Sequence, residues 1–223
     1  MRPKEISRYL ADLGWRDPIA LPVESSGPNS PSDSESVTES ADLEGLAKSL
    51  RNCARCRLSE KRKTVVFGEG APDARVMFIG EGPGAEEDRT GRPFVGQAGR
   101  LLDRMVVAMG FQRGQTYIAN VVKCRPPGNR DPKDDEIAAC SEFLNRQIEL
   151  IRPDVIVALG RFAANRLTGM DKPLGALRGR WSHYKGVPLL ATYHPAYLLR
   201  TPKDKRKVWQ DLKLVLAKLG ESR

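Results

Sequence analysis

"TYIANVVKCRPPGNRDPKDDEIAACSEFLNRQIELIRPDVIVALG", residues 116–160, decides the fold. An apolar, β-branched run, "TYIANVV" (116–122), reads as a strand and stops just before Cys124. A loop rich in Pro, Gly and Arg follows. "DPKDDEIAACSEFLNRQIELI" (131–151) then reads as a long helix with Pro and acids in its first turn, where the helix dipole favours negative charge. "PDVIVALG" (153–160) is a second short apolar strand.

The same alternation extends in both directions. Upstream, "ADLEGLAKSL" (41–50) reads as a helix, "RVMFIG" (75–80) as a strand and "AGRLLDRMVVAMG" (98–110) as a helix with a Gly stop. Downstream, "RFAANRLTG" (161–169) reads as a helix, "VPLLATYHP" (187–195) as a strand and "DKRKVWQDLKLVLAKLG" (204–220) as a closing helix. Strands alternating with helices predict an α/β fold, a three-layer αβα sandwich around a central, mainly parallel four-stranded sheet. In such sheets the chemistry lies beyond the carboxyl ends of the strands. That points to the loops starting at Glu81, Lys123 and His194.

The 223 residues, 40% of them hydrophobic, suffice for one main domain and an appendage. Residues 1–15 are expected to form a short helical appendage, with Ile6, Leu10 and Leu13 on one face, and the Ser-, Pro- and acid-rich residues 16–40 a flexible linker. Residues 41–223 form the expected catalytic domain. No run approaches the roughly 20 apolar residues of a bilayer span, and the N-terminus lacks a signal peptide's apolar run, so a cytoplasmic protein without membrane contact is expected. The net charge of +9 is uneven: residues 1–50 hold five Lys/Arg against nine Asp/Glu, leaving 32 against 19 for the rest. A basic body of this kind attracts polyanions, nucleic acid first.

Cys53, Cys56, Cys124 and Cys140 are the four cysteines. In a reducing compartment this set argues for a metal site rather than disulfides. Four thiolates suit zinc or an iron–sulfur cluster, and ligand type alone does not choose between them. The fifteen residues between Cys124 and Cys140 do not form a zinc-ribbon knuckle. "GEGPGAEEDRTGRPFVG" (80–96) contains neither G-x-G-x-x-G nor a Walker lysine, so phosphate cradling has little support. "HPAYLLR" (194–200) places one of two histidines directly after a strand.

Taken together, "GEGPG", "TGRPFVGQAG", "YIANVVKCRPPGNRDP" and "HPAYLLR", with all four cysteines, resemble the family 4 uracil-DNA glycosylases in order and spacing, from about Leu50 to the C-terminus. The resemblance implies a [4Fe–4S] cluster on Cys53, Cys56, Cys124 and Cys140, acting as a staple across the loop between the last two. It further implies that uracil in DNA, single- or double-stranded, is flipped out and its N-glycosidic bond hydrolysed. Phe94 would stack on the base. Asn120 would accept from N3–H and donate to O4, a pattern that cytosine reverses. His194 would donate to O2, and Asn129 would add a further substrate contact. Gly82 stands where family 1 carries its water-orienting Asp, so Glu81 or Glu87 inherits that role. Gly84 replaces the family 1 tyrosine that excludes the thymine methyl, leaving Glu87 and its neighbours to exclude thymine. Leu198 and Leu199 are candidate wedges for the gap left in the stack, and Arg200 a phosphate contact. Glu81 argues against family 5, which lacks an acid in this motif, and the absence of a histidine in "CRPPGNRDP" argues against covalent capture of uracil. The rival reading is a non-enzymatic, metal-stabilised nucleic-acid-binding module. A monomer is expected, with the acidic N-terminal arm as a tether to a repair or replication protein.

Overall fold

A computed structural model describes residues 42–221. The N-terminal appendage and linker expected over 1–40 lie outside the described residues. Six strands are formed: β1 (Glu69–Gly70), β2 (Val76–Gly80), β3 (Tyr117–Asn120), β4 (Val155–Leu159), β5 (Trp181–Tyr184) and β6 (Val187–Thr192). Eight helices accompany them among the described residues: α1 (Leu43–Leu50), α2 (Ala85–Thr90), α3 (Gln97–Ala108), α4 (Asp134–Ile151), α5 (Gly160–Thr168), α6 (Leu174–Leu177), α7 (Pro195–Arg200) and α8 (Lys205–Glu221).

The sheet order is β1-β3-β2-β4-β6-β5. The four apolar runs are its parallel centre. Every residue of β2 and β4 is buried, as strands covered on both faces require. Their side chains alternate between two cores. Met77, Ile79, Ile156 and Ala158 pack with α1, α4 and α5, whereas Val76, Phe78, Val155 and Val157 pack with α3 and α8. This period of two, with helices on each side, makes the three layers.

Two short antiparallel strands extend the expected four-stranded centre: β1 beside β3 and β5 beside β6. β1 has two residues, and "WSHY" in β5 has no apolar run, so neither carries a period that a sequence pattern detects. The hairpin signal lay in the turn. Lys185 and Gly186 both have positive φ (49° and 81°), as a two-residue turn between antiparallel strands demands. α4 begins as expected, with Asp134, Asp135 and Glu136 in its first turn. The Glu136 carboxylate accepts from the Lys133 amide (2.8 Å) and binds Arg130, which holds its pKa below the usual carboxylate range. Among the described residues no helix is long and apolar enough to cross a membrane.

The register brings the carboxyl ends of the parallel strands into line. Gly80 of β2 lies opposite Asn120 of β3, and Leu159 of β4 opposite Thr192 of β6. Glu81, Asn120, Gly160 and His194 therefore all emerge at one edge of the sheet.

Candidate active site

The site is built on a missing side chain. A Cβ at Gly80 would lie 2.5 Å from Asn120 Oδ1 and 2.6 Å from Phe94 Cζ. Only glycine at the end of β2 lets the amide and the ring converge there. Phe94 and His194 rings face one another, with centroids 5.5 Å apart and an interplanar angle of 33°. Gly160 closes the group from β4, since a Cβ there would stand 3.0 Å from that of His194. Asn120 at the end of β3, Phe94 from an earlier segment of the chain and His194 from a later one thus come together at one end of the sheet.

Asn120 is only 2% exposed, and its Oδ1 has no hydrogen-bond partner in the protein. An unpaired buried acceptor costs about 1–3 kcal/mol. Such a cost makes sense where a ligand supplies the donor.

Phe94 sits at φ 50°, a left-handed conformation strained for a bulky residue. Its neighbours enforce it. Glu87 Oε1 accepts from the Val95 and Gly96 amides (2.8 and 2.9 Å) just before α3. Arg113, itself held by Asp103 (2.6 Å), donates to the carbonyls of Pro93 and Phe94. Gly99 in α3 lets the helix press against Phe94, where a Cβ would fall 1.8 Å from the Phe94 carbonyl oxygen. Glu87, expected to handle water or touch substrate, clamps through Oε1 the loop that presents the ring. Its second oxygen lies where a Gly84 Cβ would approach to 2.8 Å, so it fills the space beside that glycine. Gly82 packs on Val122, with 2.8 Å between its notional Cβ and Val122 Cγ2.

The two ionisable groups at the edge are shifted in opposite directions. Burial raises Glu81 to about 7, with the nearby charge of Asp131 adding to the rise and Arg161 opposing it. Burial lowers His194 to about 4; Arg200 lowers it further and Glu87 works against both. His194 Nδ1 accepts from the Ala196 amide (3.1 Å) at the start of α7. The imidazole is therefore neutral above its low pKa, and its single proton sits on Nε2, free to donate.

Asn129 lies on an exposed turn, Pro127–Asn129, where its Oδ1 accepts from Arg125 Nε (2.8 Å). Leu198 is 1% exposed and belongs to the core of α3 and α8, because α7 turns it inward. Leu199, at 44%, is the leucine that faces outward, followed by exposed Arg200. Sequence reasoning missed Gly160, Arg161, Asp131 and the Arg113 clamp. A Gly directly after the buried strand β4 was the one local signal for Gly160.

The four cysteines fall in one region. Cys124 and, on α4 itself, Cys140 are buried in one core cluster, with Cys53 and Cys56 packed against it. Burial pushes the Cys124 thiol up and Cys140 to about 11, and the neighbouring thiols add to both shifts. Arg62 donates to Cys124 Sγ and the Lys123 amide to Cys140 Sγ, each at 3.3 Å. These donors suit charged thiolates. Among the described residues, no three or more His, Cys, Asp or Glu side chains are grouped to hold a single metal ion.

The sequence pattern of the uracil DNA glycosylase superfamily matches residues 67–213. The type-4 uracil-DNA glycosylase of Thermotoga maritima is 46% identical over 174 residues, 76% of this chain and 91% of its own. That of Sulfurisphaera tokodaii is 42% identical over 182 residues, 78% and 83% of the two chains. A type-5 uracil-DNA glycosylase of Pyrobaculum aerophilum is more distant, at 34% over 185 residues, 67% and 80% of the two.

The packing of α3 on Phe94 predicts a sharp contrast between two glycines. Gly99→Ala must push backbone away from backbone, costing on the order of 1–3 kcal/mol or more as overpacking does. Gly114→Ala meets nothing within 4 Å and has no special φ. Thermal melting should show Gly99→Ala several degrees below wild type and Gly114→Ala level with it.

Proposed function

This chain belongs to the type-4 uracil-DNA glycosylases, a DNA repair enzyme that hydrolyses the N-glycosidic bond of uracil, and we propose the following division of labour among its residues. The observation that carries it is the buried, unpartnered Oδ1 of Asn120. Uracil supplies the missing donor at N3–H and accepts from the amide at O4; cytosine presents an unprotonated N3 and an amino group, leaving both halves of the amide opposed. Phe94 supports the flipped base from one face. The neutral His194 donates Nε2–H to uracil O2, where negative charge grows as the glycosidic bond breaks. A preorganised donor of this kind is typically worth about 10²–10³ in rate.

Glu81 is the carboxylate for the other partner, orienting water toward C1′ and stabilising the cationic sugar. Its burial supports this, since a base poised near neutral pH combines the correct protonation state with driving force. Glu87 is assigned to thymine exclusion through the loop it braces: its Oε1 holds the Val95 and Gly96 amides beside Phe94 and its Oε2 fills the space beside Gly84. Leu199 is the wedge, with Arg200, Lys203 and Arg206 exposed to meet phosphates; Lys207 is already paired with Asp204 (2.9 Å).

Cys53, Cys56, Cys124 and Cys140 would hold a [4Fe–4S] cluster. The donor set fits: four thiols in one region and two N–H groups directed at sulfur. When bound, the cluster supplies iron–thiolate bonds that fix the loop between Cys124 and Cys140, and no redox step in cleavage.

The function is tested with a uracil-containing oligonucleotide followed by alkali, which cuts abasic sites; binding without scission would support the non-enzymatic module instead. The pH dependence follows from Glu81. The ionised carboxylate is the active form, so kcat/KM should rise with pH through about 7 and then level. Glu81→Gln should lower the rate and abolish that rise; an unchanged profile would assign the water to another group. Purified protein should be brown with broad visible absorption, and Cys140→Ser should lose iron while keeping its far-ultraviolet circular dichroism. One zinc in a colourless protein is the contrary result. Finally, Leu199→Ala should lose rate mainly on duplex, where there is a stack to invade, and keep its melting temperature. Leu198→Ala should melt early, by roughly the 2–5 kcal/mol of a core truncation, with equal losses on single and double strands.

A further inference from the structure

Lys123 is fully buried, and among the described residues no carboxylate forms an ion pair with it. Its ammonium donates to the Asn120 backbone carbonyl (3.0 Å) and to Gln147 Oε1 (2.5 Å). Its own amide donates to Cys140 Sγ (3.3 Å). Cys140 and Gln147 are seven residues apart on α4, two turns along one helix face. One residue therefore grips the same face of α4 at two points, through main chain and side chain.

The grip acts where the strand ladder changes. Beyond Asn120, the amides of Val121 and Val122 donate to the carbonyls of Gly80 and Glu81. The Asn120 carbonyl receives the lysine. Gln147 is in turn fixed, its Nε2 donating to the Phe67 carbonyl (2.9 Å) and to Tyr117 Oη (3.1 Å) at the other end of β3. A buried cation is costly, and an apolar side chain of similar length would fill the space. What the apolar chain lacks is the tether.

We propose that Lys123 is the positioning residue for the uracil-reading amide: it ties the Asn120 main chain to the face of α4 that carries Cys140, so that the cysteine site and base selection are mechanically one unit. This rests on the reading of Asn120 as the base-selecting group. Lys123 touches no substrate and acts through Asn120 alone.

The test is a double-mutant cycle on the full chain, Lys123→Met and Asn120→Ala singly and together, read by single-turnover excision. Lys123→Met should lose about 10- to 100-fold, as removal of supporting partners commonly does. In the Asn120→Ala background it should lose no more than about twofold further, because the group it positions is gone. A second readout avoids turnover: equilibrium binding to oligonucleotides carrying 2′-fluoro-2′-deoxyuridine or 2′-fluoro-2′-deoxycytidine, which resist cleavage. The preference for uracil should narrow in Lys123→Met by the same factor, while affinity for unmodified duplex stays constant. Gln147→Met, which leaves the Asn120 contact but removes the lysine's second acceptor, should move both readouts the same way by less, and it carries the cycle if Lys123→Met does not fold. Full independence of the two mutations overturns the assignment, as does an unchanged uracil preference. Loss of the visible absorption in both variants overturns it too, because Lys123 would then serve the cysteines. A wild-type protein that leaves uracil in place removes the activity itself, a failure distinct from these.

Discussion

The approach of Asn120 and Phe94 across Gly80 is the constraint on which the site depends. With Gly80 opposite Asn120 in the parallel register, any side chain at position 80 would enter the space that the amide and ring share. The remaining features maintain that approach. The Phe94 backbone is held in a left-handed conformation by Glu87 and Arg113, and α3 presses on it through Gly99. Strain of this sort, of order 1–3 kcal/mol, persists only where surrounding contacts over-determine it. Here four hydrogen bonds and a helix do so.

Burial then sets the electrostatics without further design. The same low-dielectric edge raises a carboxyl toward neutrality and lowers an imidazole toward neutrality. An acid and a base pushed to opposite sides of their usual ranges are the familiar arrangement for proton and charge handling at one pH. The hydrogen bond from the Ala196 amide fixes which imidazole nitrogen keeps the proton. Helix α7 thus orients His194 with its first turn, buries Leu198 with its second and leaves Leu199 outward. Six residues set a donor, an anchor and an exposed apolar tip.

The parts of this arrangement that announce themselves in sequence are those with a period or a chemically distinctive residue. Four apolar runs gave the parallel centre, and the cysteines, Asn120, Phe94 and His194 stood at strand ends or in loops rich in glycine. Edge strands of two and four residues had too few apolar positions to register. Glu87 was legible as a carboxylate in the loop near the chemistry, but the two amides that its Oε1 accepts from follow no sequence pattern. Leu198 and Leu199 are identical letters in a row, and only the turn of α7 separates core from surface. Asn129 was expected as a substrate contact on the family resemblance alone, and the sequence held no sign that the turn of Pro127–Asn129 sets its Oδ1 against Arg125.

The geometry also weighs against a protein that merely binds DNA. A binding surface gains from exposed cations and from amides already satisfied in the free state, since each unpaired buried group costs stability before any partner arrives. Here the unsatisfied acceptor belongs to a residue only 2% exposed, across Gly80 from an aromatic ring, where a base still in the stack is not expected to reach. On the reading proposed above, a nucleotide taken out of the helix supplies the donor that this acceptor lacks within the protein, so the cost borne in the free protein would favour the base that relieves it.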